Sequence, residues 1–166
     1  TKYFHSEFEL DNNEKCEIHM SFNEEEKSSL NSFCNTIATT DGGSHENALK
    51  NSIIKSLKLF GQKNQISKLS NIISNDLFNY TDSFISIFLN SPSFEGQTKK
   101  RVFMPSVQKK LENEIQHQFL LWLNVNKKDS IKLIEAIIER SLLRSDLTKI
   151  KELERKAIKE KNRLPG

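Results

Sequence analysis

The chain has no apolar run of about 18 residues and no amino-terminal segment in which charge gives way to an apolar stretch. Those absences exclude a membrane-spanning helix and a signal peptide, so a soluble intracellular protein is expected. Cysteine is scarce. Cys16 and Cys34 are too few for a disulfide framework. Cys16 and His19 lie three apart in a strand-like segment, where odd spacing sends side chains to opposite faces. They cannot share an ion without a bulge, and small buried thiols with no metal site are expected. Glycine and proline number five and three, and neither occurs between Ser106 and Leu164, so that part reads as helical throughout. Catalytic fingerprints are missing too: no Walker or dinucleotide glycine loop, no nucleophile elbow, no metal-ligand quartet. The "DGGSH" stretch lacks the lysine of a P-loop, and for its His45 packing or capping is the expected role.

The 166 residues, 36% hydrophobic and 28% charged, suit one compact domain with at most one appended element. A net charge of +3 is too mild to identify a nucleic-acid binder.

Alternation of Phe4, Ser6, Phe8 and Leu10 with His5, Glu7 and Glu9 predicts a strand. After a turn at Asp11 to Glu14 it resumes as Cys16, Ile18, Met20 and Phe22, giving an antiparallel hairpin with one wet face. Leu30 to Thr39 reads as a third strand. Then Leu49, Ile53, Leu57 and Phe60 fall at helical spacing, with Ser44 placed to cap and Gly61 to terminate. A loop follows, then a short helix from a Ser74 cap to Tyr80, and Ser83 to Leu89 as a fourth strand buried on both faces.

Pro105 opens a helix carrying Val107, Leu111, Ile115, Phe119 and Trp122. A second helix from about Asp129 turns Ile131, Ile134, Ile138 and Leu142 inward. At 1.5 Å per residue it runs roughly 50 Å, longer than a core of this size needs, so its distal half is expected to project. Between Arg144 and Arg163 it holds eight basic and four acidic residues. That composition raises contact with nucleic acid, and a solvated helix with i to i+4 pairs such as Glu152 with Lys156 is the favoured reading. Residues 1–124 form the expected core and 125–166 the long helix, and the terminal "LPG" reads as a domain boundary.

The turn "SPSFEGQTKKR" follows the fourth strand. Gln97 offers a neutral amide and Lys99 a compact charge on a flexible stem, a pair able to reach a phosphate oxygen from a loop tip. A plain solvated turn has the same composition.

"FCNTIATTDGGSH", a helix, a variable loop, a buried strand, "PSFEGQTK" and two long helices ending in "LPG" together resemble the transducer domain of the B subunit of bacterial type IIA DNA topoisomerases. The likeness spans nearly the whole chain and is closer to the topoisomerase IV form than to gyrase B. Ser44 stands where Thr is usual, and Ala48-Leu49 where Gly-Phe is frequent.

The resemblance implies an α+β fold: a mainly antiparallel four-stranded sheet, helices on one face, and a left-handed βαβ crossover like that of a ribosomal protein. It implies that ATP and Mg2+ are bound by an N-terminal ATPase domain outside this chain, with Lys99 contacting the γ-phosphate and Gln97 beside it. No catalytic residue transfers to this chain, which alone is expected to be inactive. The implied partners are that ATPase domain, a downstream metal-binding domain, a second copy of the same subunit, the DNA-cleaving A subunit and double-stranded DNA, in a cytoplasmic, chromosome-associated enzyme. Without the resemblance, the residues admit a structural module associating through the projecting helix, or a nucleic-acid-binding domain using its basic face.

Overall fold

The computed structural model describes residues 3–163; the terminal Leu164-Pro165-Gly166 stretch lies outside them. Strands β1 (Tyr3–Glu9) and β2 (Lys15–Phe22) form the expected hairpin, joined by a 3-10 turn at Asp11–Asn13. Phe8 faces Cys16 and His5 faces His19 across it. Their even-numbered residues Phe4, Phe8, Cys16, Ile18, Met20 and Phe22 are buried, as a sheet with one covered face requires.

The sheet has five strands, not four. Positive φ at Asn35 (49°) and Thr36 (68°) folds the expected third strand back on itself. It becomes β3 (Ser29–Cys34) and a two-residue β4 (Ile37–Ala38), since two consecutive left-handed residues make the tight turn of a hairpin. The strand order is β1-β2-β5-β3-β4, with β5 at Thr81–Phe88. Among the strand pairs of the described residues only β3–β5 is parallel, and the connection between those strands runs through α1 (Ser44–Lys63) and α2 (Ser74–Phe78). The second face of β5 is only partly buried: Ile85 and Ile87 are in the core on one face, while on the other Ser86 is buried and Phe88 is 42% exposed.

Helix α1 starts where expected but neither end works as the sequence predicts. Gly43 occupies the N-cap position, and Ser44 instead accepts a hydrogen bond from the Met104 amide (2.8 Å). Gly61 is buried inside the helix, which continues to Lys63. A Cβ there would lie 1.8 Å from Leu69 Cδ1, so this glycine admits the following loop against the helix rather than ending it. Ser74 does not cap α2; Asp76 does that work, accepting from the Ile73 amide (2.8 Å).

Helix α3 (Pro105–Val125) has Pro105 in its first turn and buries Val107, Leu111, Ile115, Phe119 and Leu123. Trp122 stacks on Phe119 at 5.5 Å and meets Phe4 and Phe22, while its indole N–H donates to the Tyr3 carbonyl (3.0 Å). Helix α4 (Lys127–Arg163) buries Ser130, Ile134, Ile137 and Ser141. Leu142 points outward, 44% exposed, because the inward stripe passes through the small Ser141. Every residue from 145 to 163 is exposed, so about 28 Å of helix projects from the core. Among the described residues no ion pair joins Glu152 to Lys156. Among the described residues no helix is long and apolar enough to cross a membrane.

Candidate functional site

The two motifs that stand apart in the sequence form one unit in space. Phe94 and Val102 make an antiparallel bridge, and Val102 also bridges Gly43. The Val102 amide donates to the Gly42 carbonyl (3.1 Å), and the Val102 carbonyl accepts from the Ser44 amide (2.9 Å). The Asp41 amide donates to the Lys100 carbonyl (2.9 Å), and the Glu95 amide to the Arg101 carbonyl (2.8 Å). The loop is thereby stitched at its root to the turn that opens α1. Gly43 is required there: its φ is +126°, and a Cβ would stand 2.1 Å from the Val102 carbonyl oxygen.

The three consecutive cations divide by role. Arg101 is committed to the root, its Nε 2.9 Å from Glu95 and its Nη1 3.0 Å from the Asp41 carbonyl. Glu46, half-buried in the first turn of α1, has its carboxyl pushed up by desolvation against the opposing pull of Lys50 and Arg101. Gln97, Thr98 and Lys99 sit together at the exposed tip, where Gly96 (φ +80°) and Lys99 (φ 55°) turn the chain. Among the described residues Lys99 has no hydrogen bond or ion pair. An unpartnered ammonium beside a neutral amide suits an oxygen of a phosphate, approached from one side of the loop.

His45 takes the packing role. It is fully buried, its Nε2 is 2.9 Å from Thr39 Oγ1, and Thr39 in turn meets Ser32 Oγ at 2.8 Å. Burial lowers its pKa to about 4, so the imidazole is neutral. Both thiols are buried and their pKa values raised by desolvation, that of Cys34 to about 11. Cys16 faces the core and His19 the other side of β2.

Sequence reasoning missed the anchor of the long helix. Asp76, 5% exposed, receives Arg144 Nε at 3.1 Å. Arg144 also donates to the Asn71 carbonyl (2.8 Å). Arg140 donates to the Asp76 carbonyl (3.2 Å) and lies over the Tyr80 ring at 3.5 Å. These contacts tie α4 to the segment that leads into β5, and the other end of β5 leads to the loop. The signal was present as two arginines four apart, 140 and 144, one helical turn that places both on one face.

The chain is 34% identical over 144 residues to the B subunit of DNA topoisomerase 4 from Rickettsia felis, covering 87% of this chain and 22% of that relative. It is 35% identical over 137 residues to the corresponding protein of Bartonella bacilliformis, covering 82% and 20%. It therefore spans about a fifth of the length of these curated relatives. The topoisomerase IV ATP binding domain of Francisella tularensis, solved with a small-molecule inhibitor, superposes with a TM-score of 0.77 at 26% identity, over 86% of this chain and 39% of that one. The 43K ATPase domain of Thermus thermophilus gyrase B, in complex with an aminocoumarin, shares the fold with a TM-score of 0.79 at 21% identity, over 92% and 41%. The family model described as DNA gyrase B matches residues 1–153, and the chain belongs to that family.

Proposed function

We propose that the chain is the transducer domain of the B subunit of a bacterial type II DNA topoisomerase, of the topoisomerase IV kind. In this reading it completes the ATP site of an adjoining N-terminal domain and couples nucleotide state to DNA strand passage. The supporting observation is the free ammonium of Lys99 on an exposed tip whose root is fastened to the start of α1.

Lys99 holds the terminal phosphate and Gln97 lies beside it; the rest of the nucleotide and its Mg2+ belong to the adjoining domain. ATP supplies the phosphoanhydride whose cleavage removes that contact. A side chain that touches only the terminal phosphate distinguishes ATP from ADP, and such differential contact is what shifts a conformational equilibrium. One charge-assisted contact is worth roughly 1.5–3 kcal/mol. Moving a two-state element from mostly off to mostly on takes about 5.5 kcal/mol. Lys99 therefore contributes part, and the remainder comes from other nucleotide contacts and from pairing with a second copy of the same polypeptide. Displacement of the loop reaches α4 through β5 and the Asp76 anchor, and separately through α3, whose N-cap residue Met104 is tied to Ser44. The projecting end then leads to a downstream metal-binding domain, the DNA-cleaving A subunit and the duplex, in a cytoplasmic, chromosome-associated assembly.

Lys99→Ala in the full-length protein is expected to lower ATP turnover at least tenfold, about the 1.4 kcal/mol floor of a lost charged contact, with the melting temperature unchanged. Unchanged turnover removes the role. The 166-residue chain alone is expected to give no calorimetric signal with ATP. A second reading, nucleic-acid binding by the arm, draws on the full exposure of residues 145–163. Steeply salt-dependent duplex binding by the chain alone would favour it.

A further inference from the structure

β1 and β2 bring together three side chains able to ligate a metal ion, His5 from one strand and Glu17 and His19 from the other. His5 and His19 are directly opposed in the hairpin register, and Glu17 precedes His19 by two on the same side of β2. The imidazoles stack with centroids 4.3 Å apart and planes 27° from parallel. Glu17 Oε1 is 2.7 Å from His19 Nε2 and 3.9 Å from His5 Nε2. One donor atom from each residue lies within 4.8 Å of the other two.

We propose that His5, Glu17 and His19 form a binding site for a borderline divalent transition cation, zinc or nickel in class, that clips the edge strand β1 to β2. Two imidazole nitrogens and one carboxylate oxygen suit such ions, leaving at least one position for water. Donors around a tetrahedral zinc stand about 3.4 Å apart, from metal–ligand bonds near 2.0–2.1 Å. The present separations of 2.7 and 3.9 Å straddle that value, so small side-chain rotations close the site. These side chains are between 33% and 44% exposed, which leaves the ion a path in from solvent.

The surroundings fit the same purpose. Tyr3 Oη is hydrogen-bonded to His19 Nδ1. With the hydrogen of His19 on Nε2, donated to Glu17, Nδ1 accepts from the phenol. When a cation takes Nε2, the ring carries its hydrogen on Nδ1 and donates it to Tyr3 Oη, the outer partner that metal-bound histidines ordinarily have. Glu7 lies directly opposite Glu17, placing a second carboxylate beside the first. Among the described residues no other group of three such donors lies this close together. His45 is buried and both thiols are buried with raised pKa values. The site does not depend on the proposed ATP role, and magnesium, which prefers an all-oxygen set, is the wrong ion for it.

The test is calorimetric titration of the 166-residue chain with zinc chloride, nickel chloride and magnesium chloride, with imidazole nitrogen NMR and thermal melts. One equivalent of zinc or nickel is expected to shift the His5 and His19 nitrogens, leave those of His45 and His117 in place, and raise the melting temperature. His5→Ala and His19→Ala should each weaken binding by about tenfold or more, and Tyr3→Phe by about tenfold. His117→Ala should bind as the parent does. All variants should melt like the parent in EDTA, separating lost binding from lost folding. Zinc affinity unchanged in the His5→Ala, His19→Ala double variant, or no saturable binding at millimolar cation, overturns the proposal.

Discussion

Lys99 and Arg101 are two residues apart and carry the same charge, yet the fold uses them oppositely. Arg101 spends its guanidinium on Glu95 and the Asp41 carbonyl, while Lys99 is left at the tip. Gly43 makes that division possible, because only a residue without a Cβ lets Val102 bridge it at φ +126°. Gly43→Ala is therefore expected to cost about 3 kcal/mol in a urea melt, from backbone strain and weakened bridge hydrogen bonds. His45 supplies a pH signature. Folding holds its pKa near 4 against 6.5 for the free side chain, so between those values the unfolded chain binds the extra proton. Stability from this group is full above pH 6.5. It falls by about 1.4 kcal/mol per pH unit as the pH drops through the window. Urea midpoints at pH 7 and pH 5 should show the loss, and His45→Gln should flatten it.

At the scale of elements, the α2–α4 anchor is one of the two routes by which the proposed coupling would run from loop to arm. Asp76 is buried and Arg144 is 40% exposed in its side chain, so solvent screens part of the pair's energy. Asp76→Ala also strips the acceptor from the Ile73 amide. A loss of about 2 kcal/mol is expected, and Asp76→Asn should lose less because its amide oxygen still caps α2. Equal losses would show that the cap contributes nothing. The periodicities of β1, β2, α1 and α3 were legible because each buries one face at a regular spacing. The ends were not: Ser44 and Ser74 carry capping hydroxyls, but Gly43 and Asp76 are the residues whose tertiary partners, Val102 and Arg144, decide the geometry. The split of β3 from β4 rests on left-handed φ at Asn35 and Thr36. Thr36 is a β-branched residue that alternation alone keeps in a strand. Gln97 and Lys99 were nameable from the sequence, whereas the stitching of their loop to "DGGSH" depends on residues about 60 positions apart.

For the whole molecule, the layout is a loop at one end of β5, an anchored helix at the other, and an arm with no buried residue beyond Ser141. Such an arm adds little to the stability of the core, so its length is explained by reach rather than folding. The loop is equally superfluous to the core at its tip. Both ends therefore face outward, and in the proposed function the Lys99 ammonium meets a terminal phosphate held by an adjoining domain. The most direct measurement is a structure of the full-length protein with a non-hydrolysable ATP analogue. The predicted result is Lys99 Nζ within about 3 Å of a γ-phosphate oxygen, with Gln97 adjacent; a Lys99 side chain extended into solvent while nucleotide fills the neighbouring domain would contradict it.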